Sequence, residues 1–172
     1  MARMTTLKAG MENTAPWFCS GYEIISRIAI ALSVLSNQGI IENMSRQIIS
    51  SASPYEDQIG FSRAVRSGNF IAVSGTAPIA EDGKTAAHGD AYGQTLRCLE
   101  IIKAAIEEAG GKIEDVIRTR VYLSDINRWK ECSQAHGEIF GEIKPASTMV
   151  EVSHLLKSEW LVEIEADCIV QE

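Results

Sequence analysis

Two stretches, VIRTRVYL (residues 116–123) and LVEIEADCIV (161–170), alternate residue by residue, and this pattern constrains the fold most. Successive side chains on a strand point to opposite faces. In the first stretch Ile117, Thr119, Val121 and Leu123 share one face, and Arg118, Arg120 and Tyr122 share the other. In the second, Val162, Ile164, Ala166 and Cys168 oppose Glu163, Glu165 and Asp167. A single-layer sheet buries its apolar face under helices. Its second face then carries two arginines, a tyrosine and three acids. That face is either solvated, with cross-strand ion pairs each worth under about 1 kcal/mol, or covered by another copy of the chain that encloses a polar cavity. The alternation leaves both open.

The remaining elements complete one layered unit. GFSRAVRSGNFIAVSGTAPI reads as two strands joined at Ser67-Gly68-Asn69, a turn-forming cluster. DAYGQTLRCLEIIKAAIEEAGG reads as a helix capped by Asp90 and ended by Gly110-Gly111, with Leu96, Leu99, Ile102 and Ile106 as its apolar stripe. A second helix follows the 116–123 strand and places Trp129, Cys132, His136, Ile139 and Phe140 at helical spacing. ASTMVEV and LVEIEADCIV are the last strands. The order ββαβαββ predicts an α+β fold, one sheet with two helices on one face.

The chain has 172 residues, a one-domain length, and 45% of them are hydrophobic, enough for one core. Its net charge is −7. An acidic chain repels phosphate backbones, so nucleic acid is not an expected partner. Cys19, Cys98, Cys132 and Cys168 form no CxxC clip, and His88, His136 and His154 stand in no ligand spacing. Free thiols, a reducing cytoplasmic compartment and no metal site are the expectation.

Residues 1–43 differ from the rest of the chain. Arg3, Lys8 and Arg27 balance Glu12, Glu23 and Glu42, so the whole net charge belongs to residues 44–172. The apolar run from Ile24 to Leu35 is 12 residues long and contains Arg27. A spanning helix needs about 20 residues, so no membrane association is expected. The run starts too late for a secretory signal, and the glutamates argue against a transit peptide. Residues 1–43 are therefore expected to be a poorly ordered extension or the product of a start placed too early, with a docking or targeting helix as the alternative; 44–172 is the body.

Several short motifs bear on function. Ser147-Thr148, in KPASTMVEV, has no GxSxG elbow, and His154 lies beyond the local strand, so a strand beginning after Pro145 is expected. SGTAP (74–78) is either a turn of small residues or a place where a ligand approaches the main chain. Gly89 and Gly93 flank a helix start without GxGxxG. His136 reads as a packed core histidine.

GNFIAVSGTAPI, EEAGGKIEDVIRTRVYLSDI, PASTMVEV and LVEIEA together resemble the Rid family, also called YjgF, the reactive intermediate deaminases. The resemblance covers roughly residues 53–170. It implies a chorismate-mutase-like subunit, a homotrimer with its sheets inward, and three ligand clefts between subunits. It also implies hydrolysis of 2-imino acids or their enamine tautomers to 2-keto acids and ammonia, without cofactor. Glu163 matches the glutamate that positions the attacking water, and Ser74 matches a serine that contacts ligand. Two positions depart. Ser147 stands where the deaminating members carry an arginine that grips the substrate carboxylate; serine donates one neutral hydrogen bond and does not replace that charge. Ser62 stands where the family has a tyrosine. Arg120, on the same face as Glu163, is a candidate replacement anchor, with an ion pair to Glu163 or Glu165 as the alternative; Arg118 is second.

Three functions follow as expectations. The first is an enzyme that hydrolyses a C=N bond of a small metabolite, with Glu163 positioning water, Ser62, Ser74 and Ser147 contacting substrate, and Arg120 holding an anion. The second is a non-catalytic trimer that binds small molecules as a sensor or partner. The third, a ribonuclease, fits an acidic chain without paired histidines least well.

Overall fold

The computed structural model describes residues 46–51, 53 and 56–171. The expectations for residues 1–43, Cys19 included, lie outside them. Six strands form one sheet: β1 (Arg46–Ile49), β2 (Ala64–Ser67), β3 (Phe70–Thr76), β4 (Val116–Leu123), β5 (Ala146–Glu151) and β6 (Val162–Ile169). Their spatial order is β1-β2-β3-β6-β4-β5. All pairings are antiparallel except β4 with β5. A short helix α1 (Glu56–Ile59) precedes β2, and the long α2 (Ala91–Glu108) joins β3 to β4. The parallel pair needs a crossover, supplied by α3 (Trp129–Phe140). The α+β architecture is the one the alternating strands predict, with β1 and α1 added in front of the ββαβαββ order.

Local chemistry sets the element ends. Asp90 caps α2 by accepting a hydrogen bond from the Gly93 amide at 3.1 Å. Gly110, at φ 77°, takes the left-handed conformation that ends α2. β2 and β3 meet at the turn Gly68-Asn69, with Gly68 at φ 62°. Pro145 precedes an edge strand, where its missing N–H costs no ladder bond.

The core lies between the sheet and α2 and α3. Ile71, Val73, Val121, Leu123, Val162 and Ile164 from the strands meet Cys98, Leu99, Ile102, Ile106, Cys132 and Phe140 from the helices. Truncating a fully buried residue such as Ile102 to alanine is worth about 2–5 kcal/mol. One sequence expectation fails here for a physical reason. β4 carries an extra residue between Val116 and Arg118 relative to β6. This bulge turns Val116 into the core and leaves Ile117 45% exposed. In α3, Trp129 and Ile139 are likewise exposed, and Ala135 is buried instead.

Buried Gln94 ties the loop before β6 to α2. Its Nε2 donates to the Glu159 carbonyl at 2.9 Å, and its Oε1 accepts from the Leu161 amide at 2.7 Å. The loop is thereby fixed on both sides of Trp160, close in sequence to Glu163. Among the described residues no helix is long and apolar enough to cross a membrane.

Candidate functional site

The site forms at a second bulge. Val73 pairs with Ala166 and Thr76 pairs with Ile164, so Ser74 and Gly75 together oppose Glu165 alone. Thr76 is thereby returned to the core, fully buried. Glu163 alternates with buried Val162 and Ile164, and its carboxyl passes Gly75 so closely that a β-carbon there would collide with Oε1. Only glycine leaves that space. Of the two readings of SGTAP, a turn of small residues or an approach of ligand to the main chain, the structure shows a bulge of small residues that the Glu163 side chain approaches.

Arg63, just ahead of β2, is strapped to the same bulge. Its Nη1 donates to Thr76 Oγ1 at 2.8 Å, the Gly75 carbonyl at 3.0 Å and Ser74 Oγ at 3.3 Å. In return the Ser74 amide and hydroxyl donate to the Arg63 carbonyl at 3.0 and 3.1 Å. Arg63 Nε is buried and has no hydrogen-bond partner among the described residues. Arg63, Gly75 and Glu163 line one groove with Ile79, Ile101 and Trp160.

The electrostatics follow from burial. Desolvation pushes the Glu163 carboxyl above the ordinary glutamate range, and the charge of Glu165 adds to this while Arg63 opposes it. Among the described residues the Glu163 carboxyl accepts no hydrogen bond. Desolvation pulls the Arg63 guanidinium down, against Glu56 and Glu163. The buried Cys98 thiol is raised by burial first and by the Glu163 carboxylate second, so it is inert.

The other sequence candidates fall in two places. Ser62 and Ser74 border a shallow depression on the open sheet face with Arg46, Glu165 and Asp167. Arg120 is committed to acids: its Nη2 meets Asp167 Oδ2 at 3.0 Å and its Nη1 meets Glu165 Oε2 at 3.4 Å. Tyr122 donates to the same Glu165 oxygen at 3.3 Å. The ion-pair alternative for Arg120 is thus the one observed, with Glu165 and Asp167 as its acids. Ser147 stands on the helix face of edge strand β5. Buried Thr119 donates to Ser147 Oγ at 2.9 Å and lies 2.9 Å from His136 Nε2. His136 is half-buried against Phe140. Ser147 and Glu163 are two strands apart on opposite faces, so the fold of the chain does not bring them together.

The sequence singles out neither Arg63 nor Gln94. Arg63 lies in the stretch read as a strand, but the observed strand begins only at Ala64, so alternation does not assign its side. Gln94 interrupts the apolar stripe of α2, a signal for a buried polar clamp. Cys98, Cys132 and Cys168 are buried free thiols. Among the described residues no three His, Cys, Asp or Glu side chains gather as metal ligands.

The β3 bulge thus carries a groove lined by a desolvated carboxyl and a guanidinium on an α+β fold. The chain belongs to the endoribonuclease L-PSP family, the YjgF/RutC family, whose pattern matches residues 52–170. It is 44% identical over 106 residues to a RutC family protein of Pyrococcus abyssi, covering 62% of this chain and 83% of that one. It is 36% identical over 101 residues to a 3-aminoacrylate deaminase RutC of Acinetobacter baylyi, covering 59% and 79%. A crystal structure of a YjgF/YER057c/UK114 family member from Mycobacterium tuberculosis superposes with a TM-score of 0.67 at 42% identity, covering 73% of this chain and 100% of that one.

Proposed function

We propose that the protein hydrolyses a reactive imine or enamine, or a similar C=N compound, to the carbonyl product and ammonia. The observation that carries this is the Glu163 carboxyl, desolvated, facing the groove and without a hydrogen-bond partner among the described residues. A carboxyl raised toward neutrality is suited to take a proton and return it. In the proposed sequence of steps Glu163 accepts a proton from water as the water oxygen bonds to the C=N carbon, and returns that proton to the nitrogen. Glu163 then takes the hydroxyl proton of the tetrahedral adduct and passes it to the nitrogen as the C–N bond breaks, so that ammonia leaves and a carbonyl remains. No step transfers an electron to or from a second reagent. The relative named 3-aminoacrylate deaminase supports an enamine as one substrate form.

The cleft is proposed to be completed by a second copy in a homotrimer. Ser147 supports this: its exposed position, on an edge strand, has no access to the Glu163 of its own protomer. A competing reading, a binding trimer without catalysis, is favoured by serine at 147, which supplies no charge to a bound anion. The two are separated by an assay. Imines generated in place from several amino acids by an amino-acid oxidase are mixed with the protein, and ammonia release is followed. Release above the spontaneous rate supports hydrolysis. A rate equal to the spontaneous one for every imine, with binding of the same compounds intact, supports the binding trimer.

A further inference from the structure

We infer that Arg63 is the anion anchor of the groove, so that its ligand is a small carboxylate whose electrophilic carbon lies between Arg63 and Glu163. This deepens the hydrolytic reading of Glu163 and rests on it for the choice of probe. The geometry stands apart from that reading. A guanidinium taken out of water costs several kcal/mol unless charge and hydrogen bonds compensate it. Arg63 is largely buried, yet among the described residues no carboxylate comes within ion-pair distance of it; the ion pairs of the other arginines are with acids elsewhere. Its hydrogen-bond partners are neutral and lie on one side. Every hydrogen bond that the Arg63 guanidinium makes among the described residues runs from Nη1, to oxygens of Ser74, Gly75 and Thr76. Nε is buried without a partner among them.

Nη1 therefore fixes the plane of the guanidinium, and Nη2 makes no hydrogen bond among the described residues, which makes it the branch we assign to the ligand. A planar fork held at one prong and open at the other is preorganised for a carboxylate. The acid that shares the groove, Glu163, feels the charge of Arg63 but makes no ion pair with it among the described residues. Arg120, a cation on the open face, has both prongs occupied by Glu165 and Asp167. Of the other cations that line the groove, Arg97 is paired with Glu100 and Lys157 lies over the Trp160 ring, whereas Arg63 is strapped to the β3 bulge that the Glu163 carboxyl approaches.

The probe is pyruvate, a product of the proposed reaction class, measured by calorimetry on the full chain. Wild type binds pyruvate, Arg63→Gln weakens binding at least ten-fold, and Arg63→Lys recovers part of the loss. Pyruvamide, the same shape without charge, binds wild type no better than pyruvate binds Arg63→Gln. Equal pyruvate affinity in wild type and Arg63→Gln overturns the anchor, as does equal affinity of wild type for pyruvamide, or no binding of pyruvate at all. Because Arg63 also braces the β3 bulge, a second measurement uses unmutated protein. Phenylglyoxal labels Arg63, detected by peptide mass, and pyruvate slows that labelling at least five-fold. An unlabelled Arg63, or labelling indifferent to pyruvate, contradicts the proposal. Glu163→Gln separates the two readings: it retains pyruvate binding while hydrolysis is lost. Protection of Arg63 by pyruvate in a protein that releases no ammonia removes the hydrolysis and leaves the anchor.

Discussion

The carboxyl of Glu163 fills the space that a β-carbon on Gly75 would occupy. The atom met first is the end of a flexible side chain, so Gly75→Ala displaces the carboxyl and leaves the backbone in place. The expected stability change is under about 1 kcal/mol, because a small insertion beside a movable group is accommodated. The expected loss of ammonia release is ten-fold or more, equivalent to about 1.4 kcal/mol in the barrier. Thermal melting and the imine assay on the same preparation check both. A variant that melts early and keeps its rate contradicts this placement of Glu163.

Glu163→Gln is expected to keep or raise the melting temperature at pH 7. Burial raises the folded-state pKa of Glu163, so ionisation costs the folded chain more than the unfolded one. That cost is present above the folded pKa and disappears as pH falls below the ordinary glutamate value. The advantage of Gln over Glu therefore shrinks as pH falls. Melting curves from pH 8 to pH 4 on the two proteins measure it, and an advantage that grows toward acid refutes the sign.

His136 gives a slope of the opposite kind. Burial lowers its pKa, so below the ordinary histidine range the unfolded chain binds a proton that the folded chain refuses. Stability is full above that range and falls with acid until the folded pKa is reached. His136→Gln is expected to flatten this fall between pH 7 and pH 5 and to retain a partner for Thr119. Thr119→Val removes the hydroxyl between Ser147 and His136 and leaves His136 Nε2 without it. Its expected cost is about 1–3 kcal/mol. Ser147→Ala, at an exposed position, is expected to cost under about 0.5 kcal/mol.

Ser147→Arg tests how the cleft is closed. Within one protomer the new side chain starts from the helix face of β5, two strands from Glu163. It raises imine hydrolysis only if another copy brings that edge to the groove. The expected result is a several-fold gain in kcat/KM in a protein that light scattering shows to be a trimer, and loss of the gain in the Glu163→Gln background. A monomer at micromolar concentration contradicts the assembly. If Ser147→Arg, alone or with Ser62→Tyr, stays trimeric without a gain, the anchor lies on the Arg63 side alone.

The sheet is legible because its strands alternate: residues 116–123 and the turn at Gly68-Asn69 fall where the pattern puts them. The long helix is legible from Asp90 and Gly110. β1 is not, since RQII is four residues long and takes its strand form from pairing with β2. Bulges defeat the face assignments. An inserted residue reverses the side of its neighbours on one flank, which is why Ile117 is exposed. The second bulge is also why Gly75, and not Ser74, meets Glu163. Family resemblance implies one site for Glu163 and Ser74, whereas Glu163 lines the groove and Ser74 borders the depression on the open face. Arg63 enters the groove only through hydrogen bonds to β3, contacts between residues 11–13 positions apart that no periodicity encodes.

The central claim is that Glu163 moves the proton in C=N hydrolysis. The direct measurement is ammonia release from 2-iminopropionate, generated in place by an amino-acid oxidase, in the presence of wild type and of Glu163→Gln. The expected result is acceleration by wild type and at least a hundred-fold loss in Glu163→Gln, with melting temperature and pyruvate affinity preserved. A Glu163→Gln protein that releases ammonia as fast as wild type contradicts the claim.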